Sequence, residues 1–503
     1  MRKKEKGQRE EKENYSKERL DFFERDKEER KRNRLKNRPI ILMTYITAAL
    51  FLSLFIYIIY YVYHDADKII ANSSNKRQDA YARDITRGDI VSSDGVVIAT
   101  TTEDAEGNEK REYPYNNLFC HAVGYNSYGR SGVELSMNFY MLRSHKNIFS
   151  KVKNDLMGEK NQGDRVITTL DYRLQKAAGD AIGNNKGAAV VIEPSTGRVL
   201  AMYSSPGFDP NDIDNVWEHI HTDEGRESTI MLNRATQGLY APGSTFKPIT
   251  LLEYIRENPD TCGEYSYNCQ SSDKFNSVTI HCAHGSYHGN VDLEHSLAYS
   301  CNTSFSNMGI TLDKGKLRTL AEDMMYNEPL PYSFPYNRSS FVLKAESADY
   351  EVPQTVIGQG DTRITPLHNA LIMSGIANGG LVMRPYLVDR VENCDGAVIN
   401  TFSGSAYKQI MTPAEAALLT DYMKSVCEYG TAADQFAYTS YRVSGKTGTA
   451  EYDDEGNCNS WFIGFSNPDD PDIVVSVIVE DYNTNYISGS YVARRIFDTY
   501  YTQ

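Results

Sequence analysis

The sequence predicts a mixed α/β protein of the α+β type, carried behind one membrane-spanning helix. Residues 40–63 contain no charged side chain, which indicates the helix. Two apolar runs flank a Glu-Pro-Ser-Thr-Gly turn within 187–204, and strand patterns return at 442–481. We therefore expect a sheet whose strands come from both ends of one domain, with a mostly helical insert between them.

The segment 40–63 reads IILMTYITAALFLSLFIYIIYYVY and exceeds the roughly 20 residues that cross a bilayer as a helix. The basic residues that crowd its N-terminal end are Arg30, Lys31, Arg32, Arg34, Lys36 and Arg38. The positive-inside rule then predicts residues 1–38 in the cytoplasm and the chain after residue 63 outside. A cleaved signal peptide would have a shorter apolar core and a small-residue cleavage site, so we expect an uncleaved anchor at 39–63.

Charge is unevenly distributed along the chain. The net charge is −14, yet residues 1–38 hold 16 Lys and Arg against 10 Asp and Glu. The acidic remainder argues against nucleic acid as a partner, because phosphate binding needs a basic face. The tail is either a docking site for cytoplasmic partners or only a determinant of topology and solubility.

Local patterns predict the elements on either side of the insert. Residues 64–86 are polar and predict a short stalk, and RGDIVSSDGVVIAT at 87–100 predicts a β-hairpin around a Ser-Asp-Gly turn. DRVITTLDYRLQKAAGDAIG at 164–183 predicts a strand and then a helix capped by Asp171. The insert at 250–444 is expected to be mostly helix and loop, and three strands with a closing helix follow it.

The eight cysteines are Cys120, Cys262, Cys269, Cys282, Cys301, Cys394, Cys427 and Cys458. Disulfides are permitted outside the membrane, and one bridge among Cys262, Cys269 and Cys282 would suit their proximity, although spacing alone cannot choose the pair. Cys301 is expected to be a small packed residue rather than a nucleophile.

The stretch TIHCAHGSYHG raises the question of a metal site, because it places His281, Cys282, His284 and His288 close together. It lacks a paired C-x-x-C or H-x₃-H frame with a second half. We therefore expect a surface loop rich in glycine and histidine, and no metal.

The stretch GLYAPGSTFKPIT at 238–250 places Ser244 and Lys247 three residues apart, behind a Pro-Gly helix start. On a helix, the two side chains share one face. Unpaired N–H groups in a first turn favour a developing oxyanion, and a lysine with a lowered pKa can accept the serine proton. Alone, the pattern is weak, because a capping serine followed by a surface lysine has the same spacing.

Two further motifs accompany this pair, in AYSCNTSF and RVSGKTGTAEY. They supply Ser300, Asn302, Lys446, Thr447, Gly448 and Thr449. The order Ser-x-x-Lys, Ser-x-Asn, Lys-Thr-Gly is shared by penicillin-binding proteins and class A β-lactamases. Ser300 is expected to relay a proton, while Asn302 binds a backbone-like carbonyl and steadies Lys247.

The Lys-Thr-Gly motif is expected to hold the substrate. Lys446 brings a second ammonium group, which favours a neutral first lysine and attracts a carboxylate. Thr447 and Thr449 can donate hydrogen bonds to that carboxylate, and Gly448 leaves room for a substrate backbone along the strand. The backbone N–H groups of Ser244 and Thr449 would form an oxyanion hole.

From about residue 83 to its end, the chain resembles a class B penicillin-binding protein, a monofunctional peptidoglycan D,D-transpeptidase with a compact pedestal. RGDIVSSDGVVIA and GYNSYGRSGVE resemble pedestal signatures, and QGLYAPGSTFKP, AYSCNTSF, IGQGDTRITPLHNALIMSGIANGG and GKTGTAEYDDEGNCNSWFIGF resemble transpeptidase signatures. The resemblance implies a penicillin-binding transpeptidase fold, with an antiparallel five-stranded sheet flanked by helices, a helical subdomain and a small β-rich pedestal. The implied parts are a cytoplasmic charged tail (1–38), an anchor (39–63), a stalk and pedestal (64–160) and a transpeptidase domain (161–503).

The family reaction, carried over to this chain, would begin with attack of Ser244 on the D-Ala-D-Ala carbonyl of a peptidoglycan stem peptide. The acyl group would then pass to an amine of a neighbouring stem peptide, and β-lactams would acylate the same serine. The resemblance implies no cofactor and a single-pass protein of the cell membrane with its catalytic domain outside. It also implies a membrane glycosyltransferase among its wall-synthesis partners.

Three alternatives share parts of this pattern. A D,D-carboxypeptidase uses the same three motifs but is usually anchored differently, and a β-lactam sensor needs several membrane spans or a signalling domain. A catalytically idle scaffold of a wall-synthesis complex would not need the intact set of motif residues. The missing Glu-x-x-x-Asn pattern between Asn302 and Lys446 disfavours hydrolysis as the native reaction.

Overall fold

The structure is a computed structural model, which describes residues 2–64, 82–453 and 455–502. The chain forms two units, residues 1–75 and residues 76–503. The described part of the first unit is a helix, α1 (Arg2–His64), with Pro39 inside it. Its segment Lys36–Tyr63 has a mean hydropathy of 2.2 and is long and apolar enough to cross a membrane. This candidate span includes the apolar run that predicted the anchor.

The second unit begins with short strands and helices. Its first strands are β1 (Ile85–Thr86), β2 (Ile90–Val91), β3 (Val97–Glu103), β4 (Glu109–Glu112), β5 (Asn161–Gln162) and β6 (Arg165–Thr168). Its first helices are α2 (Cys120–Val123), α3 (Gly132–Ser136), α4 (Asn138–Met141) and α5 (Ile148–Met157). The antiparallel pairing of β2 with β3 confirms the hairpin predicted at 87–100. Residues 65–81 of the predicted stalk lie outside the described residues.

The rest of the chain alternates helices and strands. The helices are α6 (Tyr172–Ile182), α7 (Ile213–Ile220), α8 (Arg234–Gln237), α9 (Lys247–Glu257), α10 (Leu293–Ala298), α11 (Asn302–Gly309), α12 (Lys314–Asp323), α13 (Val352–Thr355), α14 (Pro366–Ala377), α15 (Pro413–Glu428), α16 (Ala433–Phe436), α17 (Tyr482–Asn485) and α18 (Gly489–Tyr501). The strands are β7 (Gly187–Ile192), β8 (Val199–Ser205), β9 (Tyr267–Cys269), β10 (Ser272–Phe275), β11 (Val278–His281), β12 (Gly289–Val291), β13 (Leu381–Met383), β14 (Val388–Glu392), β15 (Val398–Thr401), β16 (Ala406–Gln409), β17 (Val443–Glu451), β18 (Cys458–Ser466) and β19 (Val474–Val479). The predicted cap of α6 is confirmed, because the Asp171 side chain accepts from the N–H groups of Arg173 and Leu174.

A five-stranded antiparallel sheet in the order β17-β18-β19-β7-β8 forms the centre of the second unit. Since β7, β18 and β19 are buried at every position, both faces of the sheet are covered. Helix α14 packs against β7, β18 and β19, while α18 packs against β18, β19 and α6. Strands from both ends of the domain meet here, which confirms the predicted α+β fold class.

A second sheet, in the order β15-β14-β6-β2-β3-β4, joins distant parts of the chain. Strand β14 pairs antiparallel with β6, and β6 pairs parallel with β2. The segment 388–401 therefore completes a sheet whose other strands precede residue 169. The insert at 250–444 contains this hairpin and several two-stranded sheets, whereas we expected mostly helix and loop. These strands are too short for a period of two to distinguish them from loops.

All eight cysteines are free thiols in the described chain. The bridge considered among Cys262, Cys269 and Cys282 is therefore not formed. The Sγ atoms of Cys269 and Cys282 lie 3.7 Å apart, whereas a disulfide bond needs about 2.05 Å.

A buried ion-pair network ties the first strands of the second unit to helix α3. Glu134 is 0 % exposed. Its carboxylate accepts hydrogen bonds from Arg87 Nε at 2.8 Å and from Arg111 Nε at 2.7 Å. Arg111 also donates to the backbone carbonyl of Gly88. Because the carboxylate serves two guanidinium groups, its removal leaves both of them buried and uncompensated.

We predict that Glu134→Ala lowers the free energy of unfolding by about 3–5 kcal/mol, because a buried charge that loses its partner is strongly destabilising. Urea unfolding of the full chain, followed by circular dichroism, measures the change. The control is Asp180→Ala, whose ion pair with Lys176 is solvent-exposed, and we expect a far smaller loss there. Equal losses in the two variants would contradict the role given to this network.

Candidate active site

The three predicted motifs meet in one cleft of about 790 Å³. The predicted residues that line it are Ser244, Ser300, Asn302, Thr447, Gly448 and Thr449. Lys247 and Lys446 are buried and reach the cleft through hydrogen bonds to the Ser300 hydroxyl. The fold thus brings all eight predicted residues together from three segments that are far apart in the chain.

Ser244 lies in a 3₁₀ turn, Gly243–Phe246, which leads into α9 at Lys247. We expected the serine in the first turn of an α-helix, but the φ of +54° at Gly243 does not fit one. The Gly243 N–H donates to the carbonyl oxygen of Gly358 at 2.9 Å. A Cβ atom at residue 243 would lie 2.7 Å from the carbonyl oxygen of Thr449, so glycine is required for this close approach.

Lys247 is held by oxygen atoms of the second motif. Its Nζ donates to the Ser300 carbonyl oxygen at 2.7 Å, to Asn302 Oδ1 at 2.7 Å and to Ser300 Oγ at 3.1 Å. Ser300 has a φ of +54°, a left-handed conformation that is uncommon for a residue with a side chain and directs both of its oxygens at the amine. Among the described residues, no carboxylate forms an ion pair with Lys247, which is 0 % exposed.

The hydroxyl of Ser300 accepts hydrogen bonds from two lysines, because Lys446 Nζ also donates to it at 2.9 Å. Burial lowers the pKa of Lys247 to about 7. Burial and then the nearby Lys247 charge hold the pKa of Lys446 well below its usual value. Two ammonium groups that donate to the same oxygen atom would repel each other, which opposes protonation of both lysines. The pair therefore contains an unprotonated amine near neutral pH.

The hydroxyl of Ser244 lines the cleft and has no hydrogen-bond partner in the described part of the chain. We expected Lys247 to face this hydroxyl, but its hydrogen bonds go to Ser300 and Asn302. A direct contact between Ser244 and Lys247 stays a prediction. As a neutral amine, Lys247 would keep two N–H donors for its two 2.7 Å contacts and gain a lone pair. Catalytic hydrogen bonds often shorten only when substrate binds.

Strand β17 is an edge of the five-stranded sheet and pairs with β18 alone. An open edge of this kind can bind an extended peptide as an additional strand. Gly448 was expected to leave room for that peptide. That role stays a prediction. A Cβ atom at residue 448 would lie 2.9 Å from Thr245 Cγ2 and 3.0 Å from Trp461 Cβ. The absent side chain therefore allows the strand to pack closely against the serine turn.

Several groups of the site were not identified from the sequence. Thr431 lines the cleft, and its hydroxyl lies 2.5 Å from the Thr447 hydroxyl. Asn302 Nδ2 donates to the carbonyl oxygen of His281 at 2.8 Å. These contacts join loops that are distant in the chain, so no local sequence pattern predicts them. Gly358, whose carbonyl oxygen accepts from the Gly243 N–H, is different. The sequence could have indicated its turn, because the glycines of the IGQG run favour positive φ.

A group of potential metal ligands meets beside Asn302 in a combination that spacing did not predict. It consists of Cys269, Cys282, His288 and Cys301. His281 and His284, which we considered together with Cys282 and His288, do not belong to it. The fold instead adds one cysteine from β9 and another from the cap of α11.

Comparison with known proteins identifies the family of the chain. A family model for the penicillin binding protein transpeptidase domain matches residues 187–501, and one for the penicillin binding protein A dimerisation domain matches residues 87–166. The peptidoglycan D,D-transpeptidase PbpA of Mycolicibacterium smegmatis is 30% identical over 443 residues. The match covers 83% of this chain and 88% of that relative.

Two similar solved structures align with this chain over nearly their whole length. Penicillin-binding protein A from Mycobacterium tuberculosis, as a ceftriaxone acyl-enzyme complex, has a TM-score of 0.74 and 28% identity, covering 84% of this chain and 99% of that one. The D,D-transpeptidase domain of a peptidoglycan glycosyltransferase from Eggerthella lenta has a TM-score of 0.72 and 29% identity, covering 83% and 98%. With three motifs in one cleft and a transpeptidase model spanning more than half of its length, the chain belongs to the class B penicillin-binding proteins.

Proposed function

We propose that this chain cross-links peptidoglycan stem peptides by acyl transfer through Ser244. The observation that carries the proposal is the pair of buried lysines that share the Ser300 hydroxyl beside this serine's cleft. The pair supplies an unprotonated amine near neutral pH, which a serine nucleophile needs as its base. The chain is a serine acyl-transfer enzyme and a β-lactam target, like its relatives named D,D-transpeptidases and the M. tuberculosis protein with its ceftriaxone acyl-enzyme.

In the acylation step, Ser244 Oγ attacks the carbonyl carbon between two D-alanines, and its proton passes to the neutral amine of Lys247. The bond to the leaving D-alanine breaks as its nitrogen takes up a proton, which the Ser300 hydroxyl relays from the lysine pair. The backbone N–H groups of Ser244 and Thr449 stabilise the oxyanion, and one such donor contributes about 3–4 kcal/mol. The products are the acyl-enzyme and free D-alanine, and Lys247 returns to its neutral form.

The transfer step uses the same groups in the opposite direction. The amine of a neighbouring stem peptide attacks the ester carbonyl and gives its proton to the lysine pair, which returns a proton to Ser244 as the ester bond breaks. The donor peptide lies along the open edge of β17, with the carboxylate of its terminal D-alanine near Lys446, Thr447 and Thr449. Asn302 Nδ2 retains a second hydrogen for a donor carbonyl, since one is used by the His281 carbonyl.

The membrane arrangement follows from the charge before the candidate span, Lys36–Tyr63. Basic residues on its N-terminal side favour a cytoplasmic tail at 1–38 and an anchor at 39–63. The stalk and pedestal, 64–160, and the transpeptidase domain, 161–503, then lie outside the membrane. A monofunctional transpeptidase also needs glycan strands that are not yet cross-linked, so we include a membrane glycosyltransferase among its partners.

We predict that Ser244→Ala abolishes covalent labelling of the full chain by a fluorescent penicillin, because the ester can form only on this hydroxyl. The urea midpoint should not change, since the removed hydroxyl has no hydrogen-bond partner in the described structure. Gel fluorescence measures the label. Ser403→Ala, on an exposed loop, is the control and should label like the wild type. Persistent labelling of the Ser244 variant would exclude this serine as the nucleophile.

The acylation rate is expected to rise as the pH increases through about 7 and then to level off. Burial lowers the pKa of Lys247 to about 7, and only the neutral amine, present above that pKa, accepts the serine proton. Lys247→Ala should slow acylation by about 10²–10⁴-fold and remove this rise. Time-resolved labelling between pH 5.5 and 9, with the exposed-lysine variant Lys176→Ala as control, measures both effects. A flat wild-type profile would remove Lys247 from its role as the base.

Transfer should exceed hydrolysis when a suitable amine is present, because the sequence lacks the Glu-x-x-x-Asn pattern that positions a deacylating water. The test offers the full chain a peptide ending in D-Ala-D-Ala together with a D-amino acid as acceptor. Mass spectrometry should find more exchanged peptide than shortened acid. A product mixture dominated by the shortened acid at saturating acceptor would favour the D,D-carboxypeptidase alternative.

A further inference from the structure

Helix α5 exposes its apolar side chains instead of burying them. These side chains, with their exposed fractions, are Ile148 (69 %), Phe149 (81 %), Val152 (51 %), Leu156 (83 %) and Met157 (60 %). At 3.6 residues per turn, Ile148, Phe149, Val152 and Leu156 lie within an arc of about 100°, which we call the apolar face. Helices of soluble domains normally turn such a face to the core, as α6 does. An apolar face in solvent indicates an interaction surface.

Polar contacts hold α5 in this orientation. The half-buried residues of the helix are Ser150, Lys151 and Asn154, on the side opposite the apolar face. Asn154 Nδ2 donates to Asn161 Oδ1 at 3.1 Å, and Asn161 Nδ2 donates to Asp155 Oδ1 at 3.0 Å. The helix is thus fixed to β5 through its polar side, and the apolar face is directed away from the second unit.

Basic residues surround the apolar face. Residues 143–160 hold five Lys and Arg against two Asp and Glu, although the chain as a whole is acidic after residue 38. Lys151 and Lys153 lie on the two sides of the face, and neither forms an ion pair with the described residues. Lysines at such a border bury their stems along apolar surface and extend their ammonium groups to lipid phosphates. This pattern is complementary to a bilayer that contains anionic lipid.

The covalent chain brings α5 close to the point where the second unit begins. The helix leads into β5, which pairs parallel with β1, the first strand of that unit. Lys160 Nζ donates to the carbonyl oxygen of Ala82 at 3.2 Å, so the incoming chain passes the end of α5. Only residues 65–81 connect Ala82 with α1, which contains the candidate span. A short connection gives the bilayer a high effective concentration at α5, so even weak binding is sufficient.

A second copy of the chain is the main competing occupant, because the family model that matches residues 87–166 is that of a dimerisation domain. A helix of ten residues is only about 15 Å long and about 10 Å wide, whereas a stable interface buries about 800 Å² per partner. A symmetric pair formed through this face would also bring the lysines of both copies together. Area and charge therefore both favour lipid.

We propose that α5 lies on the outer surface of the membrane that anchors the chain, with its apolar face in the headgroup region. The helix axis runs parallel to the membrane plane, and Phe149 and Leu156 reach about 5–10 Å into the boundary between headgroups and acyl chains. Lys151 and Lys153 bind the phosphates of anionic lipids. The contact rests on the membrane arrangement given under the proposed function, and not on its acyl-transfer chemistry.

Tryptophan fluorescence of the full chain in lipid nanodiscs tests the contact. Phe149→Trp is reconstituted at one chain per disc, in phosphatidylglycerol and phosphatidylcholine, so that no second copy is present. After subtraction of the wild-type signal, we expect a blue-shifted emission that lipids with brominated acyl chains quench by about half, as for a side chain at interfacial depth. Tyr438→Trp, at a side chain that is 98 % exposed in the transpeptidase domain, is the control and should show neither effect. Unshifted and unquenched emission from Phe149→Trp would overturn the proposal.

Further changes in the Phe149→Trp chain test the chemistry of the contact. Lys151→Gln and Lys153→Gln should each lower the ratio of membrane-bound to free helix about fivefold, and so should the removal of phosphatidylglycerol from the disc. Leu156→Ser should lower this ratio about tenfold, and the fold should tolerate it because the side chain is exposed. Lys176→Gln, on α6, is the matched control and should leave the ratio unchanged. Quenching that none of these changes reduces would overturn the proposal.

Two further measurements exclude a protein partner and separate the contact from the proposed function. A blue shift that appears only with two chains per disc, without quenching by brominated lipid, would assign the face to a second copy and overturn the proposal. Ser244→Ala should lose penicillin labelling and keep the quenching, while Leu156→Ser should do the reverse. A chain that is quenched but takes no label would overturn the proposed function and leave the membrane contact standing.

Discussion

One hydroxyl, that of Ser300, accepts hydrogen bonds from two buried lysines, and the rest of the site is arranged around this contact. Water screens neither charge, so protonation of Lys247 opposes protonation of Lys446. No carboxylate among the described residues pairs with either of them. The fold must hold the two side chains together against their repulsion, and the result is an amine that is a base near neutral pH without help from a third group.

Three parts of the fold enforce this contact. Lys446 projects from β17, which the five-stranded sheet holds in register over nine paired residues with β18. Lys247 begins α9, whose first residues are all buried. Ser300 is fixed in a left-handed turn between α10 and α11. Gly243 and Gly448 then let the serine turn and β17 approach each other more closely than any side chain would allow. Rigid elements thus set the distances, and the turn between them sets the direction of the hydroxyl.

Local sequence patterns predicted those elements whose formation depends on residues that are adjacent in the sequence. The hairpins at 87–100 and 187–204, the cap at Asp171 and the closing strands each depend on contiguous residues, and the structure has them. The motif order predicted which residues would share a cleft, but not which atoms would touch. The partners of Lys247 depend on the φ of Ser300, and the grouping of Cys269 with Cys301 depends on a hairpin returning to α11. Such contacts arise from tertiary packing, which spacing along one sequence does not encode.

The six-stranded sheet has a consequence for the order in which the chain matures. Strand β6 is complete once residue 168 has been synthesised, but its neighbour β14 begins only at Val388. A polypeptide made from its N-terminus therefore carries an unsatisfied strand edge through more than two hundred further residues of elongation. Unpaired edges invite pairing with other chains. The six-stranded sheet is therefore complete only after residues 388–401 have been synthesised and have paired with β6.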